Sequence, residues 1–159
     1  MTRAQCIVIK NDRILMVRHH HQGVSWWCLP GGTVEACEAP SAAALRELRE
    51  ECCVQGTILQ QTSHLTYAPQ DETITYLVDI GAQQPAMGCD PEFSGHDQII
   101  IDLQWLKLSE IPERDRAFLW AAGLLAVPQF FHLVEGWGDD TSFPEAANTN
   151  ARVIANEQE

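Results

Sequence analysis

Three glutamates lie close together in a segment that is otherwise rich in alanine and leucine. Glu47, Glu50 and Glu51 occupy positions i, i+3 and i+4. On an α-helix such residues share one face, with neighbouring Cβ atoms roughly 5–6 Å apart. Three carboxylates placed in this way repel one another and contribute little to folding, whereas hard cations such as Mg²⁺ need oxygen ligands of this kind. The spacing therefore predicts either a divalent-metal site or a solvated acidic helix face.

Two further charged residues can support this acidic face. Arg46 precedes Glu50 by four residues and can hold its carboxylate in position through a charge-assisted hydrogen bond. Glu38 ends the loop before the helix, where the helix N-terminus favours a negative charge. Glu38 can also buttress the loop or the surroundings of a metal.

The spacing of these residues matches a known motif. The segment from Gly32 to Val54, GTVEACEAPSAAALRELREECCV, resembles the Nudix box, G-x5-E-x7-R-E-U-x-E-E-x-G-U, where U is a bulky aliphatic residue. Cys53 stands where the family has its second glycine. If the helix ends there in a left-handed conformation, a residue other than glycine costs roughly 1–2 kcal/mol. The matching residues are Gly32, Glu38, Arg46, Glu47, Leu48, Glu50, Glu51 and Val54.

The resemblance implies a pyrophosphohydrolase that cleaves a nucleoside diphosphate linked to another group, such as a nucleoside triphosphate or an ADP-ribose-like compound. It implies that Glu47, Glu50 and Glu51 bind Mg²⁺ or Mn²⁺, together with a backbone carbonyl near Gly31. The general base differs among members of the family. Glu50 or Glu51 is the first choice here, and Glu92 in a later loop is the second. The alternative is a noncatalytic, nucleotide-binding regulatory domain of the same fold, against which the intact glutamates argue.

Substrate-binding residues are expected near the same segment. Arg18 and the triplet His19-His20-His21 follow an early strand and are candidates for contacting the substrate phosphates. Gly31 and Gly32 would let the loop backbone approach a metal or substrate closely. The histidine triplet is a poor zinc site, because consecutive residues in a strand point to alternating faces.

Aromatic residues offer a surface for a nucleobase. Of Trp26 and Trp27, we assign one to the core and leave the other open as a stacking residue. Trp105 lies in an apolar strand and is predicted to be a core residue. Pro69 is similar in position to a proline of ADP-ribose-cleaving relatives, although a proline there is equally typical of an ordinary turn.

The elements that must position these residues alternate between strand and helix patterns. Pro40 falls in the first turn of the predicted central helix, where its missing N–H does no harm. The order predicts an α/β (α+β) fold, a Nudix-like α-β-α sandwich with a mixed β-sheet. Strands are predicted at 4–10, 13–19, 24–29, 57–68, 73–80 and 99–108, helices at 39–52 and 114–127, and a long loop at 83–97.

Length and composition fit one domain. The 159 residues predict a Nudix domain over 1–137 and a mobile tail over 138–159. The region 118–131 could form a homodimer interface, although the same apolar pattern serves an ordinary core helix.

Charge and cysteine usage limit the partners. Ten Lys+Arg against 22 Asp+Glu give a net charge of -12, which argues against nucleic acid and anionic membranes as partners and leaves a small-molecule nucleotide. Six cysteines without metal-binding spacing are expected to be reduced thiols. With no secretory signal or membrane-spanning run found, we expect a cytoplasmic protein.

Overall fold

The computed structural model describes residues 1–88 and 100–135. The strands are β1 (Thr2–Lys10), β2 (Arg13–His21), β3 (Val24–Cys28), β4 (Gly31–Thr33), β5 (Thr57–Ala68), β6 (Asp71–Asp79) and β7 (Ile100–Lys107). The helices are α1 (Pro40–Cys52), α2 (Glu113–Ala121) and α3 (Pro128–Glu135), with short 3₁₀ turns at Leu108–Glu110 and Leu124–Ala126. The predicted strands are confirmed to within a few residues at each end. The three-residue β4 was not predicted.

Strands β1 and β2 separate from each other away from their connecting turn, and the functional site lies there. β1 and β2 form the predicted hairpin and pair at its closed end, where Ile9 faces Ile14. Further along, β4 pairs with residues 3–5 of β1, while β3 pairs with residues 17–21 of β2. β1 also runs parallel to β6, which pairs antiparallel with β5, so the predicted mixed sheet is confirmed.

Helices cover both faces of this sheet. On one face, Cys6 and Val8 of β1 pack in a cluster with Leu48 of α1. On the other face, Ile7 of β1 packs in a second cluster with Leu119 of α2. Alternate residues of one strand therefore serve two cores, as period-two alternation requires, and the predicted α-β-α sandwich is confirmed.

Helix α1 matches its predicted bounds closely and shows why its last turn is unusual. Pro40 starts the helix, with Ala39 extended before it. After the helix, Cys53 adopts φ 56° and ψ 31°, and its N–H donates to the Arg49 carbonyl at 3.0 Å. Cys53 thus has the left-handed geometry anticipated for the family glycine, and carries the strain of a β-carbon there.

The prediction of one helix over 114–127 is wrong. Helix α2 ends at Ala121, because Gly123 adopts φ 79° and a β-carbon there would lie 2.4 Å from the Thr62 carbonyl oxygen. The Thr62 hydroxyl also donates to the Ala122 carbonyl at 2.8 Å. A contact with strand β5 therefore interrupts the helix, and a separate helix α3 begins at Pro128.

Several expectations fall outside the described residues. These are the part of the predicted loop from 89 to 99, which contains Glu92, and the predicted tail over 138–159. In the part of the chain that is described, no helix is long and apolar enough to cross a membrane. The five described cysteines, Cys6, Cys28, Cys37, Cys52 and Cys53, are free thiols.

Candidate functional site

Helix α1 directs its glutamates against the short strand β4. The Gly31 N–H donates to Glu51 Oε2 at 2.8 Å. A β-carbon on Gly32 would lie 2.2 Å from Glu47 Oε1, so only glycine lets the Glu47 carboxylate lie against this strand. The motif glycine is therefore explained by a close approach between the strand backbone and the helix side chain.

Arg46 connects the acidic residues to one another. Its Nε and Nη2 donate to the two oxygens of Glu38, both at 3.0 Å, and Nη2 also donates to the Thr33 carbonyl at 2.9 Å. Its Nη1 donates to Glu47 at 2.9 Å and to Glu50 at 3.0 Å. All five N–H groups of the guanidinium are thereby used. The predicted contact with Glu50 is confirmed. Glu38 also accepts from the Glu35 N–H at 3.1 Å and so supports the loop, while its part in a metal site stays a prediction.

Arg46 only partly offsets the cost of burying negative charge on the acidic face. Glu47 is 9% exposed, and this burial raises the pKa of its carboxyl, with Arg46 acting in the opposite direction. The hydrogen bonds from Arg46 instead lower the pKa of the Glu38 carboxyl. A buried carboxylate that Arg46 only partly compensates is one that a further cation would stabilise.

The donor set suits a hard divalent cation. Glu47 and Glu50 each give one oxygen to Arg46, and their other oxygens accept no hydrogen bond within the described residues. In the same residues no three His, Cys, Asp or Glu side chains are already gathered into a metal cage. Oxygen-only donors favour the Mg²⁺ class of ion over zinc.

A cavity of about 360 Å³ adjoins the acidic face. Its walls come from α2 and from strands β1, β2, β3, β5 and β6, and four large aromatic side chains line it. Phe118 and Tyr67 are each 63% exposed and lie at its mouth. A concave, mainly aromatic site with a few polar groups is typical of a small-molecule pocket. The aromatic lining residues are Trp26, Trp27, Tyr67 and Phe118.

His19 joins the cavity to the glutamates. It lines the cavity, its ring centre lies 5.6 Å from that of Trp26, and its Nε2 lies 3.8 Å from Glu51 Oε1. The neighbouring His20 instead contacts the Ser25 hydroxyl at 2.8 Å. Adjacent histidines therefore have different surroundings, as strand alternation predicts. Of the two tryptophans, Trp27 packs against the second core, so one assignment to the core is confirmed.

Arg18 and Arg3 occupy different positions relative to the cavity. Arg18 is exposed, and its guanidinium carbon lies 5.8 Å from the ring centre of Trp27, so its role toward phosphates stays a prediction. Arg3 lines the cavity and donates from Nη2 to the Gly31 carbonyl. No local pattern marks Arg3 in the sequence, because the pairing of β1 with β4 alone brings it to this site.

Asp115 was also missed by sequence reasoning. It lies in the first turn of α2, is 1% exposed and accepts from the Trp27 backbone N–H at 2.9 Å. Arg114 donates to the other oxygen of Asp115 at 2.9 Å and to the Ser25 carbonyl at 2.9 Å. These contacts tie α2 to β3 and hold the aromatic wall of the cavity in place.

Solved structures share this fold. A NUDIX hydrolase from Nitrosomonas europaea aligns with a TM-score of 0.59 and 17% identity over 90% of this chain and 91% of that one. A second NUDIX hydrolase from Nitrosomonas europaea aligns with a TM-score of 0.56 and 18% identity over 72% of this chain, and this match spans 61% of that longer relative. An ADP-ribose pyrophosphatase from Streptococcus suis aligns with a TM-score of 0.55 and 16% identity, over 70% and 76% of the two chains.

No curated protein matches the chain significantly. The sequence profile of the NUDIX domain, by contrast, matches residues 1–126. Members of this family generally use divalent metal ions. The match spans most of the chain and includes β4, the helix that carries the three glutamates, and Arg46 at their centre. The chain therefore belongs to the Nudix family of hydrolases, which act on phosphoanhydrides.

Proposed function

We propose that this chain is a metal-dependent pyrophosphohydrolase that cleaves the phosphoanhydride of a nucleoside diphosphate linked to another group. One observation carries this proposal: an aromatic cavity meets the acidic face of α1 at His19, which lines the cavity and lies 3.8 Å from Glu51. A base held by the aromatic residues would leave its phosphates beside the carboxylates. Aromatic stacking on a base contributes roughly 1–3 kcal/mol per base.

Glu47, Glu50 and Glu51 are the proposed metal ligands, with the Gly31 carbonyl as a further one and Mg²⁺ or Mn²⁺ as the ion. When bound, such an ion neutralises charge on the phosphate oxygens and lowers the pKa of water. Arg46 would keep the carboxylates oriented through its hydrogen bonds to Glu47 and Glu50. Orientation of this kind matters because metal ligands bind poorly when their supporting hydrogen bonds are lost.

Glu50 is our first choice for the general base, with Glu51 next. The Glu50 side chain is 21% exposed and the Glu51 side chain 4% exposed, so water reaches Glu50 more easily. Glu92 stays a further candidate, on a segment outside the described residues.

The identity of the substrate rests on the cavity. The name of the Streptococcus suis relative suggests ADP-ribose as a candidate. Pro69 adds little to this suggestion, because it lies in the turn between β5 and β6. Nucleoside triphosphates, including oxidised ones, fit the same proposal, since they also carry a nucleoside diphosphate linked to another phosphate.

Product release from a substrate panel tests the proposal. The panel contains ADP-ribose, ordinary and oxidised nucleoside triphosphates, dinucleoside polyphosphates and nucleotide sugars, each with and without Mg²⁺ or Mn²⁺. Metal-dependent cleavage of one class would support the reaction and identify the substrate. If the chain binds a nucleotide but cleaves none of the panel, the noncatalytic regulatory alternative replaces this proposal.

Two substitutions test the metal site. Glu50→Gln and Glu51→Gln each remove a charge with little change of volume, and we expect each to reduce turnover at least about a hundredfold without altering the circular dichroism spectrum. Glu72→Gln is the matched control, because Glu72 pairs with His64 at 2.8 Å on the β5–β6 hairpin. Near-normal turnover in both test variants would contradict the assigned metal site.

A further inference from the structure

We propose that Arg3 binds the phosphate attached to the nucleoside, at the boundary between the aromatic cavity and the glutamates. This inference rests on the proposed function and extends it to a specific substrate contact. It assigns to the first strand a role in substrate recognition that the box residues do not supply.

The position of Arg3 follows from the sheet. In β1, Arg3 faces Thr33 of β4 on one side and Thr73 of β6 on the other. Its side chain is half-buried and lines the cavity, while Nη2 donates to the Gly31 carbonyl. The N–H of the same Gly31 donates to Glu51. Arg3 therefore lies in the cavity wall, and Gly31 lies between it and the acidic face.

Arg3 has unused hydrogen-bond donors inside the cavity, whereas Arg46 has none left. Within the described residues, the hydrogen bond of Arg3 uses Nη2 alone, so its Nε and Nη1 donate none. Arg46 uses every N–H on Glu38, Glu47, Glu50 and Thr33. Arg114 is held by Asp115 and the Ser25 carbonyl.

The charge of Arg3 suits a phosphate at this point. Arg3 lines the cavity and donates to the Gly31 carbonyl, while the Gly31 N–H donates to Glu51. A phosphate at this end of the cavity would therefore lie beside a cation as well as the carboxylates. The planar guanidinium matches phosphate oxygens in a bidentate geometry, which an ammonium group cannot reproduce. Arg3 should thus favour phosphorylated ligands over the bare nucleoside.

Steady-state kinetics with Arg3→Gln and Arg3→Lys test this assignment. The substrate is the panel compound that the unaltered chain cleaves fastest. We expect Arg3→Gln to raise KM at least about tenfold while kcat changes less than about threefold, because a contact made equally in the ground and transition states affects KM alone. Arg3→Lys should restore part of the loss. Arg13→Gln is the control, since it removes the same charge from an exposed pair with Glu110.

The outcomes separate this inference from the proposed function. A KM within twofold of the unaltered chain for Arg3→Gln, or equal loss in Arg13→Gln, would overturn the role of Arg3. If the unaltered chain cleaves nothing, the proposed function fails, and tryptophan-fluorescence titration with ADP and GDP decides the role of Arg3. In that case Arg3→Gln should weaken diphosphate binding at least fivefold and leave adenosine and guanosine binding unchanged. Absence of any diphosphate binding by the unaltered chain would overturn both.

Discussion

Arg46 determines how the carboxylates of the site are arranged. Glutamates on one helix face repel each other, yet Glu47 and Glu50 converge on the same Nη1 atom. The same guanidinium reaches back to Glu38 and to the Thr33 carbonyl, so it also ties the loop before α1 to the helix. One residue therefore offsets the repulsion that the metal-binding spacing creates.

Replacing Arg46 with lysine should impair the site without unfolding the chain. An ammonium offers three donors from one point and cannot serve five acceptor positions in a plane. We expect Arg46→Lys to weaken metal-dependent turnover roughly 10–100-fold, the range seen when the partners of metal ligands are lost. Arg49→Lys is the control, because the Arg49 side chain is 62% exposed on the same helix. Equal activities in the two variants would argue against this role for Arg46.

Cys53 gives a second prediction at the level of a single residue. Its φ of 56° is left-handed, a conformation that costs a residue with a β-carbon roughly 1–2 kcal/mol. We expect Cys53→Gly to leave the free energy of unfolding unchanged or raise it by about 1 kcal/mol, part of the gain being offset by the flexibility of glycine in the unfolded chain. Urea unfolding measures this. Cys53→Ala keeps the strain and should resemble the parent, so a stabilisation shared by both variants would point to another cause.

At the level of elements, the divergence of β1 from β2 creates the site. β4 fills the space beside the start of β1, and its Gly31 and Gly32 meet Glu51 and Glu47. On the other side of the gap, β3 carries Trp26 and Trp27 into the cavity. The pairing of β4 with β1 and of β3 with β2 thus brings the motif residues and the cavity together.

The break between α2 and α3 can be tested with two glycines. Gly123 and Gly23 both have φ 79°. A β-carbon on Gly123 would lie 2.4 Å from the Thr62 carbonyl oxygen, whereas a β-carbon on Gly23 would have no neighbour within 4 Å. We expect Gly23→Ala to lower the free energy of unfolding by about 1 kcal/mol and Gly123→Ala by at least about 2 kcal/mol, because the second variant adds a clash to the same backbone strain. Equal losses in urea unfolding would show that the contact with Thr62 does not end the helix.

For the whole molecule, burial divides the described cysteines into two classes. Cys6 and Cys52 lie in the core under α1, and Cys6 donates to the Ala44 carbonyl at 3.2 Å. Burial, reinforced by the charge of Glu51, raises the pKa of Cys6 and Cys28 to about 12 and raises that of Cys52 further. Cys37 and Cys53 are exposed. The buried thiols should therefore resist modification in the folded chain.

Thiol modification followed by mass mapping tests this division. In a Cys89→Ser background, we expect a maleimide to modify Cys37 and Cys53 in the folded chain. Cys6 and Cys52 should react only after unfolding, and Cys28, which is half-buried in the cavity wall, should react more slowly than the exposed pair. Raising the pH from about 7 to about 9 should not make Cys6 or Cys28 reactive, because a thiol whose pKa lies near 12 stays protonated there. Rapid labelling of Cys6 or Cys52 under native conditions would contradict the packing of the first core.

The sequence by itself determined the parts of the site whose spacing is local. Glu47, Glu50 and Glu51 share a helix face because three- and four-residue steps return to the same side, and Arg46 reaches Glu50 for the same reason. The central helix, the opening hairpin and the position of the strained Cys53 follow from local patterns of the same kind. These features depend on neighbours within a few residues, so the sequence contains all that is needed to predict them.

Only the tertiary structure determined which residues that are distant in sequence come into contact. Arg3 contacts Gly31, which is 28 positions away in the sequence, and Asp115 contacts Trp27, which is 88 positions away. The helix break at Gly123 likewise depends on Thr62 in a distant strand. Side-chain type does not specify such partners, because they depend on which strands pair and in which register. The cavity that should select the substrate is therefore a property of the assembled fold, whereas the acidic face is already evident in the sequence.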